Sequence, residues 1–180
     1  MASRTLAAKA SRTTTRTLPF DAPHYVLHLL AAISRFRDVE LDKALAPLGL
    51  TVARYRALNA IVVFEPCHMG ELAEFIGADR TAMTRAVDQL VESGLVERSR
   101  QSSDRRQVML TATEAGQRTT AAARPIVFTL NRRVLEGVSS QAQSVIIEAE
   151  QQMFANLAKD PRAISRMLSL RRSSADDETT

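Results

Sequence analysis

Apolar residues recur at helical spacing through most of the chain, and the pattern changes to strand-like alternation once, near the centre. The helical stretches are bounded by capping residues or by proline and glycine. They lie at about residues 21–46, 51–64, 70–76, 80–93, 114–135 and 139–159, and a last short one lies at 162–170. Between Gly94 and Gly116, alternating apolar positions instead predict two short strands that form a hairpin.

Capping residues predict where these helices begin and end. The expected N-caps are Asp21, Thr51, Thr113 and either Ser139 or Ser140. Ser140-x-x-Gln143 has the form of a capping box. Pro125 lies inside the fifth helix and is expected to bend it without ending it, because long and apolar side chains continue on both sides.

The loop between the two predicted strands is basic. It carries three arginines and a single acid, Arg100, Asp104, Arg105 and Arg106. The helix before the hairpin, 80–93, has an apolar stripe and an opposite polar face. That polar face consists of Arg80, Thr81, Thr84, Arg85 and Asp88. A helix followed by a basic hairpin is the layout of a winged helix-turn-helix, in which the second helix of the motif enters the major groove of DNA.

The predicted fold is therefore mostly α with a small β-hairpin wing, and it has a central DNA-binding domain flanked by helices. The expected parts are a disordered basic arm (1–19), an N-terminal dimerisation helix (20–49), the winged helix-turn-helix (50–112), C-terminal dimerisation helices (113–170) and a disordered tail (171–180). The winged helix-turn-helix domain is too small to bury the apolar faces of the helices on either side of it. A second copy of the chain is the simplest source of the missing surface, which predicts a homodimer.

Charge and composition narrow the functional classes. The formal net charge of +4 is carried by residues 1–18, which hold four basic residues and no acid, so the rest of the chain is neutral. A DNA-binding surface must then come from local arrangement. No apolar run is long enough to span a membrane. A single cysteine, Cys67, excludes an intrachain disulfide and suits a cytoplasmic protein. No apolar segment of a secretory signal follows the basic N-terminus.

The run from Leu50 to Gly116 resembles the multiple-antibiotic-resistance regulator (MarR) family of winged-helix dimeric transcription factors. The residues that carry the resemblance are Leu50-Thr51, Glu71-Leu72-Ala73, Thr84 to Leu90, Gly94 to Arg98 and Asp104-Arg105-Arg106. The family's wing pattern, Asp-x-Arg followed after five residues by Leu-Thr, falls on Asp104, Arg106, Ala112 and Thr113, with alanine in place of leucine.

The resemblance implies a homodimer on a pseudo-palindromic DNA operator. Thr81, Thr84 and Arg85 would lie in the major groove and Arg106 in the minor groove, oriented by Asp104. Arg98 and Arg105 would contact phosphates or form salt bridges within the wing. The resemblance also implies repression that a small aromatic or anionic effector, such as a coenzyme A thioester, relieves. Repressor and activator are not distinguished by the sequence.

The sequence offers fewer candidate residues for effector binding than for DNA binding. His24 and His28 share one helical face and could meet an anion, or form a metal site with Cys67 and His68. The alternative is two half-exposed histidines near a dimer interface, and no metal or cofactor is predicted. Arg54 and Tyr55 could line an effector cleft, although core packing is the favoured interpretation for Tyr55.

Three other interpretations stay open. Cys67, placed in a loop beside His68, could make the protein a redox sensor, or it could be a small, inert, partly buried residue. Arg85 could pair with Asp88 or Gln89 within its own helix, in which case the polar face would be an ordinary solvated surface. The winged helix could also bind a protein instead of DNA. No nucleophile motif, phosphate loop or metal-ligand set supports an enzyme, so no catalytic residue is predicted.

Overall fold

A computed structural model of the chain describes residues 22–65, 67–69, 72, 80–100 and 108–157. Along these residues the order of elements is α1 (Ala22–Leu45), a short 3-10 helix (Ala46–Leu48), α2 (Val52–Val63), β1 (Cys67–His68), α3 (Arg80–Glu92), β2 (Val96–Arg100), β3 (Val108–Ala112), α4 (Glu114–Val134) and α5 (Ser140–Leu157). This mostly helical architecture with one small sheet confirms the predicted fold class.

Two of the predicted N-caps are confirmed by their hydrogen bonds. The Thr51 hydroxyl accepts the backbone N–H of Arg54 at 3.2 Å, which starts α2. The Thr113 hydroxyl accepts the backbone N–H of Gly116 at 3.0 Å, which starts α4. Both caps satisfy an amide group that has no partner inside its own helix. As predicted, α4 continues through Pro125.

The start of α5 corrects one detail. Of the two predicted caps, Ser139 takes the role, since its hydroxyl accepts the backbone N–H of Ala142 at 3.2 Å. The Gln143 side chain donates to the carbonyl oxygen of Val138 at 2.8 Å. It therefore does not reach back to Ser140, and the capping box predicted from Ser140-x-x-Gln143 is wrong.

The sheet has three antiparallel strands in the order β1-β3-β2. The predicted hairpin is β2 with β3, in a register that pairs Val96 with Ala112 and Arg98 with Leu110. β1 adds a strand where the sequence analysis placed a loop, because Cys67 pairs with Leu110. Two residues are too few to show alternation, so nothing in the sequence pattern distinguished this strand from a loop.

The core joins the helices to the sheet. Its largest fully buried side chains include Leu41, Leu45, Leu58, Ile61, Leu72, Val87, Leu90 and Leu110. α2 lies at the centre and packs against α3, α4 and β3. Leu72 belongs to the predicted third helix, 70–76, and the rest of that stretch lies outside the described residues.

The chain divides into two compact units, with the boundary inside α1 after Phe36. In the first unit, the described part of α1 exposes apolar side chains that include Tyr25, Leu27, Ile33 and Phe36. The second unit, from Arg37 onward, holds the core and the sheet. None of the helices over the described residues is long and apolar enough to cross a membrane. Asp21 and the predicted arm (1–19), short helix (162–170) and tail (171–180) lie outside the described residues.

Candidate nucleic-acid interface

α3 has one buried face and one exposed face. Met83, Val87 and Leu90 are buried, as their helical spacing predicts. Thr81, Thr84 and Arg85 are exposed on the other side. Burial of the apolar stripe fixes the orientation of the helix, so the polar row 81, 84, 85 and 88 faces away from the core. This row has the size and chemistry needed to meet base edges or phosphate oxygens.

Gly94 ends α3 and sets the direction of the wing. Its φ of 69° is left-handed, a conformation that residues with a Cβ adopt at a cost. The backbone N–H of Leu95 donates to the Leu90 carbonyl at 2.9 Å, and that of Gly94 donates to the Val91 carbonyl at 3.0 Å. These two bonds form a Schellman motif, and β2 begins two residues after Gly94.

An ion pair connects the wing to the polar row of α3. Arg98 Nη2 lies 2.6 Å from Asp88 Oδ1, and the two side chains are 35% and 44% exposed. Arg98 pairs in register with buried Leu110, so both side chains leave the same face of the sheet. The sequence analysis considered Arg85 as a helical partner of Asp88, and it missed this bond because the contact depends on how the strand packs against the helix.

The other predicted DNA contacts are only partly described. The backbone of Arg80 begins α3, but its side chain is outside the described part of the chain. Asp104, Arg105 and Arg106 fall in 101–107, between β2 and β3, and lie outside the described residues as well. β2 and β3 are bonded as far as Arg100 and Val108, so the segment that carries the arginines connects the far ends of this hairpin.

A tight junction joins the turn after α3 to the start of α4. The Thr113 hydroxyl donates to the Gly94 carbonyl at 2.7 Å, and the Thr113 backbone N–H donates to the Leu95 carbonyl at 3.1 Å. Gly116 packs so closely that a Cβ there would collide with the Leu95 carbonyl oxygen and crowd the Leu58 side chain. The base of the wing and α4 are therefore held in one fixed arrangement.

Arg54 and Tyr55, two of the candidate effector residues, are consecutive in α2 but have different neighbours. Arg54 Nη2 donates to the Ser93 hydroxyl at 3.1 Å, next to the C-terminal end of α3. Tyr55 is half-buried, and its phenol is acted on by the positive charges of Arg124 and Arg37. Burial raises the pKa of Tyr55 above its usual value of 10, and the two arginines partly oppose this rise.

Three arginines from three helices are linked through Tyr55 and Asp38, and we call Arg37, Arg56 and Arg124 the arginine cluster. Arg37 and Arg124 act on the Tyr55 phenol, whereas Arg37 and Arg56 share Asp38. Arg37 Nε donates to Asn131 Oδ1 at 2.8 Å, and its Nη1 lies 3.3 Å from Asp38 Oδ1. Arg56 Nη2 binds the same Asp38 oxygen at 2.8 Å.

Arg124 Nε donates to Asn59 Oδ1 at 3.4 Å. Among the described residues, Asp38 is the carboxylate that pairs with the cluster, and it contacts two of the three guanidinium groups. This set was not predicted because the fold brings together distant residues, such as Arg37 and Asn131, which are 94 residues apart along the chain.

A shallow groove of about 440 Å³ lies between the end of α1 and α4. It is lined by Ala44, Pro125, Ile126, Thr129, Leu130 and Arg133. Apolar walls with one cation at the edge suit an amphipathic small molecule better than a metal ion.

The remaining candidates are spread out. His24 and His28 lie on exposed turns of α1 in the first unit. Cys67 is buried at 2% exposure in β1, so the prediction of a loop position was wrong. No group of three or more potential metal ligands is found among the described residues.

Comparison with known proteins supports the same architecture. Residues 48–107 match the sequence model of the MarR family. A MarR-family transcriptional regulator from Silicibacter pomeroyi is 25% identical, with a TM-score of 0.67 over 76% of this chain and 92% of that one. CouR from Rhodococcus jostii RHA1, bound to p-coumaroyl-CoA, is 27% identical, with a TM-score of 0.64 over 71% of this chain and 90% of that one.

A mutant of Escherichia coli MarR in complex with operator DNA shares the fold. Its TM-score is 0.66 at 22% identity, over 74% of this chain and 99% of that one. The family match covers the segment that contains α2, α3 and β2, and the structural matches extend over about three quarters of the chain. Residues 48–107 therefore match the MarR family of transcriptional regulators in sequence, and the likeness to solved members of that family extends over about three quarters of the chain.

Proposed function

We propose that the protein is a homodimeric repressor that binds a pseudo-palindromic DNA operator and is released by a small anionic effector. The observation that carries the DNA-binding part is the exposed row of Thr81, Thr84 and Arg85 on a helix whose opposite face is buried. In this proposal α3 enters the major groove. The hydroxyls bind phosphates or bases, and Arg85 is long enough for a guanine edge.

The wing completes the proposed interface. Arg106 reaches the minor groove next to the α3 site, where a narrow A·T-rich groove concentrates negative potential. Asp104 orients Arg106, and Arg105 binds the phosphate backbone. Arg80 adds a cation at the start of α3. The β2–β3 ladder supports this proposal, since it carries the chain to the ends from which 101–107 continues.

Selection from a random-sequence DNA pool tests the proposal without knowledge of the operator. The wild-type protein should enrich a duplex with two related half-sites, because a two-fold symmetric dimer places two α3 helices on one face of the DNA. A control selection with Thr84→Ala and Arg85→Ala combined should enrich no common sequence. If both proteins enriched the same motif, the assignment of α3 to the major groove would be refuted.

Exposed apolar helices support the homodimer. Within α5, which is described in full, no residue is buried, and Val145, Ile146 and Ile147 are 60%, 43% and 37% exposed. Phe128 and Val134 of α4 are also exposed. Exposed apolar side chains on two helices support an interaction surface there. A second copy of the chain is the proposed partner because the same segments then cover each other across a two-fold axis.

A charge placed on α5 tests the dimer. Ile147→Glu should raise the dimer dissociation constant about thirtyfold, because burying an unpaired carboxylate costs ~2 kcal/mol or more. Gln141→Glu, on an exposed polar turn of the same helix, is the matched control and should leave the dimer intact. Sedimentation equilibrium measures both. Equal dissociation constants for the two variants would exclude α5 from the interface.

For the effector, the arginine cluster supports an anionic ligand. Its excess of cations over the single acid, Asp38, suits a carboxylate or phosphate, and the half-buried Tyr55 ring offers an apolar surface beside it. The related CouR is bound to p-coumaroyl-CoA. We therefore extend the proposal to an aromatic acid or its coenzyme A thioester, with Arg37 and Arg124 as the anion contacts. His24, His28 and Arg54 remain proposed contacts of lower rank.

Three probes separate the parts of this ligand: p-coumaroyl-CoA, p-coumarate and coenzyme A. A probe that binds should lower the affinity for the enriched duplex by about five- to 150-fold, the usual range of coupling between two sites. Arg124→Gln should abolish this effect, and Arg118→Gln should not, because Arg118 pairs with Glu114 on exposed α4 surface. Release of DNA by a probe from the Arg124→Gln variant would refute the cluster as the effector site.

The redox alternative is less well supported. Cys67 is buried in the sheet, and its thiol donates to the His68 carbonyl at 3.6 Å. Oxidant sensing requires an accessible thiolate. The buried position supports a packing role for Cys67.

A further inference from the structure

The ion pair between Asp88 and Arg98 changes the net charge of the exposed polar row of α3, which consists of residues 81, 84, 85 and 88. Asp88 follows Thr81, Thr84 and Arg85 at helical spacing, so its carboxylate shares their face. A carboxylate that faces DNA repels the phosphates unless a cation neutralises it. Arg98 supplies that cation at 2.6 Å.

We propose that Arg98 is a positioning residue and makes no phosphate contact of its own. Its ion pair with Asp88 neutralises the acid in the DNA-facing row of α3 and holds the base of the wing against that helix. This inference rests on the proposed DNA-binding function. Of the two roles left open for Arg98 by the sequence, it favours a salt bridge over a phosphate contact, with the partner on α3 and not within the wing.

The packing of β2 supports this assignment. Arg98 lies opposite buried Leu110 in the ladder, so its side chain starts on the core side of the sheet and runs along α3 to reach Asp88. Glu97 and Ser99, the neighbours of Arg98 in the strand, project from the opposite face. An arginine that reached away from the core toward phosphates would be expected on that opposite face or beyond the strand ends.

The two roles of Arg98 predict different behaviour of a double variant. If Arg98 neutralises Asp88 and positions the wing, Arg98→Gln leaves an unpaired carboxylate on the DNA face. Specific binding should then weaken about fivefold, and the effect is modest because the ion pair is partly exposed to solvent. Adding Asp88→Asn removes that carboxylate and should restore affinity to within about twofold of wild type. If Arg98 binds a phosphate instead, that contact stays lost, and Asp88→Asn changes the affinity by the same factor whether or not Arg98 is present.

The salt dependence of binding gives an independent readout. Loss of a phosphate contact lowers the slope of log K against log salt by about 1. The positioning role predicts that Arg98→Gln keeps the wild-type slope. Arg118→Gln, which removes an arginine from the exposed pair with Glu114 on α4, controls for the change in net charge.

The experiment is a fluorescence-anisotropy titration of the full-length protein and these variants with the duplex enriched by the wild type, at several salt concentrations. A gain in affinity from Asp88→Asn that is larger in Arg98→Gln than in the wild type, with an unchanged slope, supports the inference. The same factor in both backgrounds, or a slope lower by about 1 in Arg98→Gln, overturns it and leaves the DNA-binding proposal intact. A wild-type protein that enriches no duplex overturns both.

Discussion

Gly116 gives a prediction in which two physical effects have opposite signs. Gly116→Ala lies inside α4, where alanine is favoured over glycine by about 1 kcal/mol of helix propensity. At this position, however, a Cβ would collide with the Leu95 carbonyl oxygen and lie 3.3 Å from the Leu58 side chain. The Leu95 carbonyl accepts the backbone N–H of Thr113, so it cannot move away from the new Cβ without breaking the hydrogen bond that joins the base of the wing to α4.

The magnitude follows from these two terms. Overpacking in a well-packed site typically costs about 1–3 kcal/mol, and a backbone clash lies at the upper end of that range. After subtraction of the propensity gain, Gly116→Ala should lower the free energy of unfolding by about 2 kcal/mol. Urea denaturation of wild type and variant at the same protein concentration measures this value, so that dissociation of the proposed dimer contributes equally to both.

Ala122 provides the matched control on the exposed side of the same helix. Ala122→Gly should cost about 1 kcal/mol, the propensity term alone. If Gly116→Ala were as stable as the wild type or more stable, propensity would dominate. The close junction between α4 and the base of the wing would then be refuted.

Three further predictions concern the wing, the N-terminal residues and Tyr55. Arg106→Ala should weaken binding to the enriched duplex by about 1–3 kcal/mol while sedimentation still shows a dimer, and wild-type affinity would refute the minor-groove role. Deletion of residues 1–18 removes four basic residues and should reduce binding to random-sequence DNA, with a smaller salt slope, while the dimer persists; loss of the dimer would instead show that the segment is structural. In a Tyr25→Phe background, ultraviolet titration of Tyr55 should give a pKa above 10, because burial disfavours the phenolate. The unfolded chain then loses its proton first, so Tyr55 should reduce stability only as the pH rises from about 10 upward, and Tyr55→Phe should remove this reduction.

Local signals in the sequence predicted much of the fold. Thr51 and Thr113 begin their helices as expected, and α4 continues through Pro125 because apolar residues follow on the same helical face. The stripe of α3 and the hairpin followed from periodicity. Each of these features depends on residues that are near neighbours along the chain.

Features that depend on distant residues were not predicted. β1 is too short to carry a period, and its place in the sheet comes from pairing with β3. The Asp88–Arg98 bond depends on the packing of a strand against a helix. The contact of Arg37 with Asn131 joins residues that only the fold brings together. The exposed polar row of α3 was therefore predictable from the sequence, whereas the ion pair of Asp88 with Arg98 and the arginine cluster were not.

The most direct test of the central claim is an anisotropy titration of the wild-type protein with the enriched duplex and with a scrambled duplex of the same composition. If α3 reads the operator, the enriched duplex should bind at least about 10³-fold more tightly at physiological salt, and Arg85→Ala should remove much of this preference. Equal affinity for the two duplexes would contradict sequence-specific recognition by α3.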